Sequence, residues 1–261
     1  MNVKRLLLAT LCVCMAMSAQ TVVQGAGSSV TEYLVALPHI AYGGGWRTQI
    51  VVQNTSAAAA AVTLYYFADS GNPLSVAIGG VSSTSTALTI PANGEQVVEP
   101  DWANLTSTTA GWVGLVYSGS GLKIQGVFLW QNAPPALAGQ YTQAAAPVVS
   151  QMSTACIISL PSGGSALTMP YDNTAGQFSG YGFANTTAAP ATLGLTFYNA
   201  SGVVVGQYSE SLPAFGHDSF LIASKVPALA GTQGTMAVSG AGVVPLGFRF
   251  NANYTFMTWL P

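Results

Sequence analysis

The chain has 261 residues, of which 5% are charged and 50% are hydrophobic, with 29 Gly and 14 Pro. This composition is too apolar for a disordered protein and too often interrupted by Gly and Pro for long helices. Six basic residues stand against eight acidic ones, which argues against nucleic acid as a partner, because phosphate binding needs clustered Lys and Arg.

The N-terminal segment, residues 1–19, has the pattern of a secretory signal peptide. Lys4 and Arg5 precede an apolar run from Leu6 to about Met17, and small residues follow. A transmembrane anchor is the alternative, but such a helix needs roughly 20 apolar residues, and this run is shorter. We therefore expect residues 1–19 to be removed, so that the mature chain has no membrane span.

The cysteines offer little chemistry. Cys12 and Cys14 suggest a lipoprotein as an alternative, but Leu11 and Val13 precede them where a small residue is expected. After removal of the signal peptide only Cys156 remains, in the apolar stretch "TACIISL". A single cysteine cannot form an internal disulfide, and these neighbours favour a core position over a reactive thiol.

The remainder of the chain is a tandem repeat. The offset between the two copies is 131 to 132 at first and 121 to 123 later, after a hairpin that is shorter in the second copy. The aligned pairs are Pro38 with Pro170, Asn54 with Asn185, Phe67 with Tyr198, Gly71 with Gly202, Gly111 with Gly234 and Gly126 with Gly247. This self-similarity predicts two modules, at residues 28–147 and 148–261.

Each module is predicted to consist of short antiparallel strands. In "WRTQIVVQ", Trp46, Thr48, Ile50 and Val52 share one face, as a half-buried strand requires. The segments "DSGN", "PANG", "NASG" and "SGAG" are typical of chain reversals. Strands at spacings of 8 to 15 residues predict an all-β protein with two tandem antiparallel β-sandwich domains after the signal peptide, with a single barrel as the alternative.

One hairpin occurs in both copies. "TLYYFADSGNPL", from Thr63 to Leu74, matches "LTFYNASGVVV" in the second copy. The second copy has Asn199 or Ala200 where the first has Asp69, so the turn is shared and the carboxylate is not. We therefore interpret the hairpin as a scaffold element and expect function in the loops where the copies differ.

The second copy carries a further pattern, P-Y-D-N-T-x-G, A-N, L-P-A-x-G-H, P-A-L-A-G-x-x-G and G-F-R-F, over nearly all of Pro170 to Phe250. Here the sequence resembles a tandem Ig-like β-sandwich module of secreted bacterial proteins. The resemblance implies an Ig-like fold and an extracellular or cell-surface location in a bacterium, and it implies no enzyme activity. The first copy diverges from the pattern, since Glu95 stands where the second has His217.

Motifs for catalysis and metal binding are absent from the sequence. His39 and His217 are the only imidazoles, and there is no G-x-S-x-G, H-E-x-x-H or D-x-D-x-D-G pattern. A hydrolase would need one of these histidines near a carboxylate and a nucleophile in a cleft. Asp172 and Asn173 are interpreted as an Asx turn rather than as Ca²⁺ ligands. We predict no catalytic residue, no cofactor and no metal site.

The best candidates for ligand contact are Glu99, Asp101 and Trp102, in "VVEPDWANLT", together with Trp46. An aromatic face can stack on a sugar while carboxylates accept its hydroxyls. A plainer alternative is a loop in which Trp102 tucks under the edge of the sandwich.

Tryptophan is unevenly distributed between the copies. The first has Trp46, Trp102, Trp112 and Trp130, whereas the second has only Trp259. The primary hypothesis is a secreted, non-enzymatic structural or adhesive protein that self-associates as a homo-oligomer or contacts a cell surface or polysaccharide. The alternative is a carbohydrate-binding protein that uses the Trp residues of the first module.

Overall fold

The computed structural model describes residues 33–117, 121–130, 153–155, 167–251 and 256–259. The predicted signal peptide and Cys156 lie outside these ranges. The regular structure of the described chain is mostly antiparallel β-strand, which confirms the all-β prediction. Within the same ranges, no helix has both the length and the apolar character needed to cross a membrane.

The strands fall into a first half, β1 to β10, and a second half, β11 to β18. The first half contains β1 (Tyr33–Tyr42), β2 (Trp46–Asn54), β3 (Ala60–Phe67), β4 (Val76–Ile78), β5 (Val81–Ser83), β6 (Ser85–Ile90), β7 (Glu95–Val98), β8 (Thr109–Tyr117), β9 (Leu122–Trp130) and β10 (Ser153–Ala155). The second half contains β11 (Leu167–Asp172), β12 (Phe178–Asn185), β13 (Ala191–Asn199), β14 (Val204–Leu212), β15 (His217–Leu221), helix α1 (Ile222–Lys225), a 3-10 turn (Pro227–Leu229), β16 (Gln233–Ser239), β17 (Val243–Phe250) and β18 (Phe256–Trp259).

Each half contains two four-stranded sheets with the same strand order. In the first half, sheet I has the order β1-β8-β3-β6 and sheet II has the order β10-β9-β2-β7. In the second half, sheet III is β11-β16-β13-β14 and sheet IV is β15-β12-β17-β18. Strand β10 follows residue 147, where the sequence predicts the module boundary, yet it pairs with β9 of the first half.

Alternating side chains from the two sheets of each half meet in one core, an arrangement compatible with a β-sandwich. In β2, burial alternates as the sequence predicts, with Thr48, Ile50 and Val52 inside. Ile50 and Val52 pack with side chains of sheet I such as Leu64 and Leu115. The second half has an equivalent cluster drawn from sheets III and IV. Burial of these apolar surfaces is the main stabilising contribution to folding.

The aligned asparagines Asn54 and Asn185 make the same hydrogen bonds in the two halves. Each is buried at the end of the second strand of its half. The Nδ2 of Asn185 donates to the carbonyl oxygens of Ala189 and Pro213, both at 2.8 Å, and its Oδ1 accepts from Thr187. Asn54 holds its own loop in the same way. The repeat thus preserves a polar anchor between the second strand of each half and the turn that precedes β7 in the first half and β15 in the second.

The two halves pack head to tail, with the outer face of sheet I against the outer face of sheet IV. In sheet I the outward residues Pro38 and Trp112 are buried, whereas Pro170 and Thr235, which occupy the equivalent positions of sheet III, are exposed. Strand β17 is buried on both faces, and its Phe248 belongs to the core of the first half. This explains why "VVPLGFRF" lacks a one-faced pattern in sequence.

Strand β1 carries a bulge that its counterpart β11 lacks. Leu37 pairs with Val113 and Ile40 with Gly111, so two residues of β1 oppose one of β8. In the second half the pairing of β11 with β16 is continuous. An extra residue in a strand turns nearby side chains away from the regular alternation. The added residue places His39 at the contact between the halves, where it packs against β12.

Candidate functional site

A cleft of about 740 Å³ opens on the first half, beside the loop that follows β7. It brings together three of the four residues that the sequence singled out for ligand contact, namely Glu99, Asp101 and Trp102. Arg47 of β2 and Tyr42 of β1 also line it. The remaining lining residues are small or polar apart from Leu105, namely Ser75, Ala77, Ser82, Pro100, Ala103, Asn104, Leu105 and Thr109.

In this cleft Arg47 contacts both Glu99, as an ion pair, and Trp102, by stacking. The Nε of Arg47 donates to the Oε1 of Glu99 at 2.6 Å, and Gln49 donates to its Oε2 at 2.9 Å. The guanidinium carbon of Arg47 lies 4.5 Å from the centre of the Trp102 ring. A guanidinium over an indole face is held by the ring quadrupole. Trp102 also packs partly against the core of the first half, as the plainer alternative expects, and this packing and Arg47 together hold its indole at the wall of the cleft.

Asp101 has a different task, because it organises the β4–β5 hairpin. Its carboxylate oxygens accept the backbone N–H groups of Gly79 and Gly80 at 3.0 and 2.8 Å. Its own N–H donates to the carbonyl of Ala77 at 2.8 Å. Charge-assisted bonds of this kind hold the hairpin against the loop. Asp101 thereby shapes one wall of the cleft.

Trp46 does not line the cleft. It is partly buried against the core, with its ring edge-on to Phe250 at a centroid distance of 6.2 Å. As the first residue of β2, it points to the inner face that the strand alternation requires. Of the other tryptophans, Trp112 lies between the two halves, and the side chains of Trp130 and Trp259 are outside the described set.

A second polar constellation lies at the contact between the halves. The Nδ1 of His217 is 2.7 Å from the Oδ1 of Asp69, and its Nε2 is 3.0 Å from the Nδ1 of His39. The two imidazole residues are 2% and 8% exposed, respectively. Burial, with the charge of His217 as a smaller cause, holds the pKa of His39 well below its ordinary value. Asp69 is therefore more than the scaffold turn that the sequence suggested.

The turn before β15 docks beside this constellation. Phe215 has a positive φ of 54°, a conformation that a bulky residue rarely adopts. Its carbonyl accepts the indole N–H of Trp112 at 2.7 Å, and its ring stacks on Phe67 at 5.3 Å. The strained backbone of Phe215 is therefore held in place by partners from the other half.

Asp172 and Asn173 act as turn caps. The Oδ1 of Asp172 accepts the backbone N–H of Thr174, and Asn173 bonds the backbone of Ser179. Burial acts to raise the pKa of Asp172, but hydrogen bonds from Thr174 and the charge of Arg249 outweigh it and lower the pKa. Among the residues that the structure describes, no group of three or more His, Cys, Asp or Glu side chains is arranged to hold a metal ion.

Comparisons with known proteins give no match to a family model, a curated protein or a solved structure.

Sequence reasoning missed Arg47 and Asp69. The role of Arg47 depends on a neighbour in space, Trp102, which the strand alternation of β2 does not reveal. A signal for the bulge was available, because the repeat offset changes from 132 at Pro38 to 131 at Asn54. One extra residue in β1 lies between these positions, next to His39.

Proposed function

We propose that the protein is a secreted, non-enzymatic adhesive protein that binds carbohydrate in the Trp102 cleft of its first half. The signal-peptide pattern supports secretion, and the tandem repeat, with its resemblance to Ig-like modules of secreted bacterial proteins, supports an extracellular adhesive role. The observation that carries the proposal is the cleft itself, which surrounds an oriented indole with hydroxyl, amide and charged groups.

The chemistry of the cleft suits binding of an uncharged, hydroxyl-rich ligand. Sugar rings present apolar faces that stack on aromatic rings and hydroxyls that need donors and acceptors. Trp102 supplies the ring, while Tyr42, Asn104 and Ser82 supply polar groups around it. Because Arg47 is already paired with Glu99, it offers little uncompensated positive charge to an anionic ligand.

The same contacts favour binding over hydrolysis. A glycosidase needs one carboxyl group to donate a proton and another to act as nucleophile or base. In this cleft Glu99 is occupied by Arg47 and Gln49, and Asp101 by two backbone N–H groups. The two histidines are not in the cleft and are almost closed to solvent, so a substrate has little access to them.

The test is binding of the mature chain to insoluble polysaccharides and to a glycan array, followed by titration against any glycan that is retained. We expect Trp102→Ala to weaken binding by about tenfold or more, the equivalent of ~1.4 kcal/mol, because the stacking surface is removed. Trp102→Phe keeps a ring in place and should weaken binding less.

Asn72→Ala is a matched control, since Asn72 is exposed and does not line the cleft. It should bind like the parent chain, and all three variants should retain the parent far-ultraviolet circular dichroism. Absence of any glycan signal, or a Trp102→Ala variant that binds as tightly as Asn72→Ala, would overturn the proposal.

Self-association is a second candidate property, and the start of β14 favours it. Strand β14 ends the order of sheet III, where it pairs with β13, and Val203 and Val204 are 58% and 49% exposed. Apolar residues on a terminal strand promote edge-to-edge pairing, and Lys there opposes it. We expect sedimentation velocity to show oligomers of the mature chain that Val204→Lys dissociates. Purely monomeric parent protein at high concentration would contradict this expectation.

A further inference from the structure

The β4–β5 hairpin is an insertion in the first copy. The repeat offset is 131 at Phe67 and 122 at Pro91, so the first copy has nine more residues in this interval (131 − 122 = 9). Strands β4 and β5 lie in the interval and pair with each other as a separate two-stranded sheet. In the second half β13 pairs directly with β14 across a short turn. The hairpin therefore has no counterpart among the described residues of the second half.

The hairpin has the turn chemistry that a two-residue reversal needs. Gly79 and Gly80 have φ values of 58° and 81°, and a type I′ turn requires positive φ at both central residues. Val76 of β4 is buried in the core of the first half, while Ala77 and Ser82 line the cleft. A two-stranded hairpin alone is only marginally stable in water. Its position therefore depends on contacts with the rest of the first half.

Asp101 makes such a contact, and it belongs to the same loop as Trp102. Each of its carboxylate oxygens accepts the N–H of one turn glycine, so both oxygens are used. Its backbone N–H donates to Ala77 on the other side of the turn. Because Asp101 directly precedes Trp102, one loop carries both the stacking ring and the anchor of the hairpin. The loop thereby sets where the hairpin lies relative to the indole.

The second copy uses the equivalent loop for packing instead. At the offset of 122, the counterparts of Glu99, Asp101 and Trp102 are Leu221, Ala223 and Ser224. This stretch forms helix α1 and the 3-10 turn, whose Ile222, Val226 and Leu229 are buried in the core of the second half. A Cβ at Gly206 of β14 would lie 2.7 Å from the side chain of Val226. Among the described residues, the hairpin, its anchor and the indole therefore occur together in the first half.

The size of the cleft bears on the length of its ligand. Small-molecule sites have volumes of about 300–1,000 Å³ and enclose most of a drug-sized ligand. The cleft, at about 740 Å³, lies within this range. A single sugar ring is smaller than the ligands that fill such sites. The cleft therefore has room for a ligand of more than one ring, which contacts both the Trp102 loop and the hairpin.

The charges of the cleft bear on the class of this ligand. Among the residues that line it, Glu99 and Asp101 are acidic and Arg47 is basic, so negative charge is in excess. Like charges placed together across a contact are unfavourable and exclude wrong partners. Sugars that carry carboxylate or sulfate groups are therefore disfavoured, and a neutral oligosaccharide fits the site.

We propose that the β4–β5 hairpin is the second ligand-binding wall of the Trp102 cleft, that the ligand is a neutral oligosaccharide in contact with both walls, and that Asp101 is the positioning residue that holds the hairpin. This inference rests on the proposed carbohydrate binding and adds the ligand class and the element that selects it. Ser82 presents its hydroxyl from the hairpin, and Trp102 presents its ring from the loop.

The first measurement needs no ligand. In Asp101→Asn one terminal atom of the side chain becomes a donor, so it opposes a glycine N–H instead of accepting it. We expect the amide protons of Gly79 and Gly80 to exchange with solvent about tenfold faster than in the parent, because a hydrogen bond to a charged group is lost. Nuclear magnetic resonance of the mature chain measures this exchange.

Glu95→Gln is the matched control for this measurement. It also removes one carboxylate from the first half, but Glu95 is exposed and does not line the cleft. Both glycine signals should therefore be the same as in the parent. If Gly79 and Gly80 exchanged at the parent rate in Asp101→Asn, Asp101 would not hold the hairpin.

The second measurement is calorimetric titration with neutral gluco-, manno- and xylo-oligosaccharides of two to six sugar units. We expect the affinity of the parent to rise with length until both walls are in contact. Asp101→Asn should weaken binding of the hexasaccharide about three- to tenfold and change binding of the disaccharide little, since the longer ligand reaches the hairpin. Partial unfolding of the variant would instead weaken both equally. Glu95→Gln should bind like the parent.

The outcomes separate this inference from the proposed function. If Trp102→Ala lost hexasaccharide binding while Asp101→Asn bound as tightly as Glu95→Gln, carbohydrate binding would stand and the hairpin would not be part of the site. Equal affinity for disaccharide and hexasaccharide, or binding only to acidic glycans, would also overturn the inference alone. If the parent bound neither these oligosaccharides nor any glycan on the array, both would fail.

Discussion

Trp112→Ala is expected to lower the free energy of unfolding by about 3–5 kcal/mol, the largest effect of any single substitution considered for this protein. Trp112 is fully buried between the halves, where its ring stacks on Phe67 at 4.6 Å. Truncation removes the apolar contacts of the ring and leaves a cavity. It also leaves the carbonyl of Phe215 without the indole donor at 2.7 Å.

Trp112→Phe separates these contributions. The smaller ring retains part of the packing but donates no hydrogen bond, so we expect a loss of about 1–3 kcal/mol. Val81→Ala is the control, since Val81 is 71% exposed and a surface substitution should change stability by no more than about 0.5 kcal/mol. Urea denaturation measures all three. If Trp112→Ala were as stable as Val81→Ala, the two halves would not share this packing in solution.

Asn185→Ala is expected to lower the free energy of unfolding by about 3 kcal/mol. The side chain is completely buried and bonds the backbone of Thr187, Ala189 and Pro213. Its removal leaves two carbonyl oxygens and one N–H without this partner, and each unsatisfied buried group costs about 1–3 kcal/mol. The loss is less than the sum because water can enter the loop.

Asn54→Ala should have a similar cost, since Asn54 makes the equivalent bonds in the first half. Asn72→Ala, at an exposed position, is the matched control and should be nearly neutral. Thermal denaturation followed by circular dichroism compares the three variants. A large difference between Asn185→Ala and Asn54→Ala would show that the two copies do not depend on this anchor equally.

Local patterns in the sequence predict much of the fold. The alternation of Thr48, Ile50 and Val52 predicts both the strand β2 and its inner face, because one face of each sandwich sheet packs against the hydrophobic core. Turn residues in "PANG" and "NASG" predict reversals that the structure contains. These features depend on neighbours in the chain, which the sequence displays directly.

Contacts between the halves could not be predicted in this way. His39 and His217 are 178 positions apart, and their contact depends on how two sheets stack. Asp69 lacks a counterpart in the second copy, and its partner lies across that junction. In the cleft, Glu99, Asp101 and Trp102 are close in sequence and their proximity could be foreseen, whereas the stacking of Arg47 on Trp102 required the structure.

In the head-to-tail packing, the first copy contributes the outer face of sheet I and the second copy contributes that of sheet IV. The outer faces of sheets II and III are not used in this contact, so such packing could in principle continue without limit. The outer face of sheet III differs from that of sheet I. Where the first copy presents Trp112 and a bulged strand, the second presents exposed Thr235 and a regular one. Repeat proteins need terminal units with a polar outer face to remain soluble. Among the described residues, the outer face of sheet III carries exposed Pro170 and Thr235 where sheet I carries Pro38 and Trp112, so it does not offer a third copy the apolar contact that the first copy offers the second.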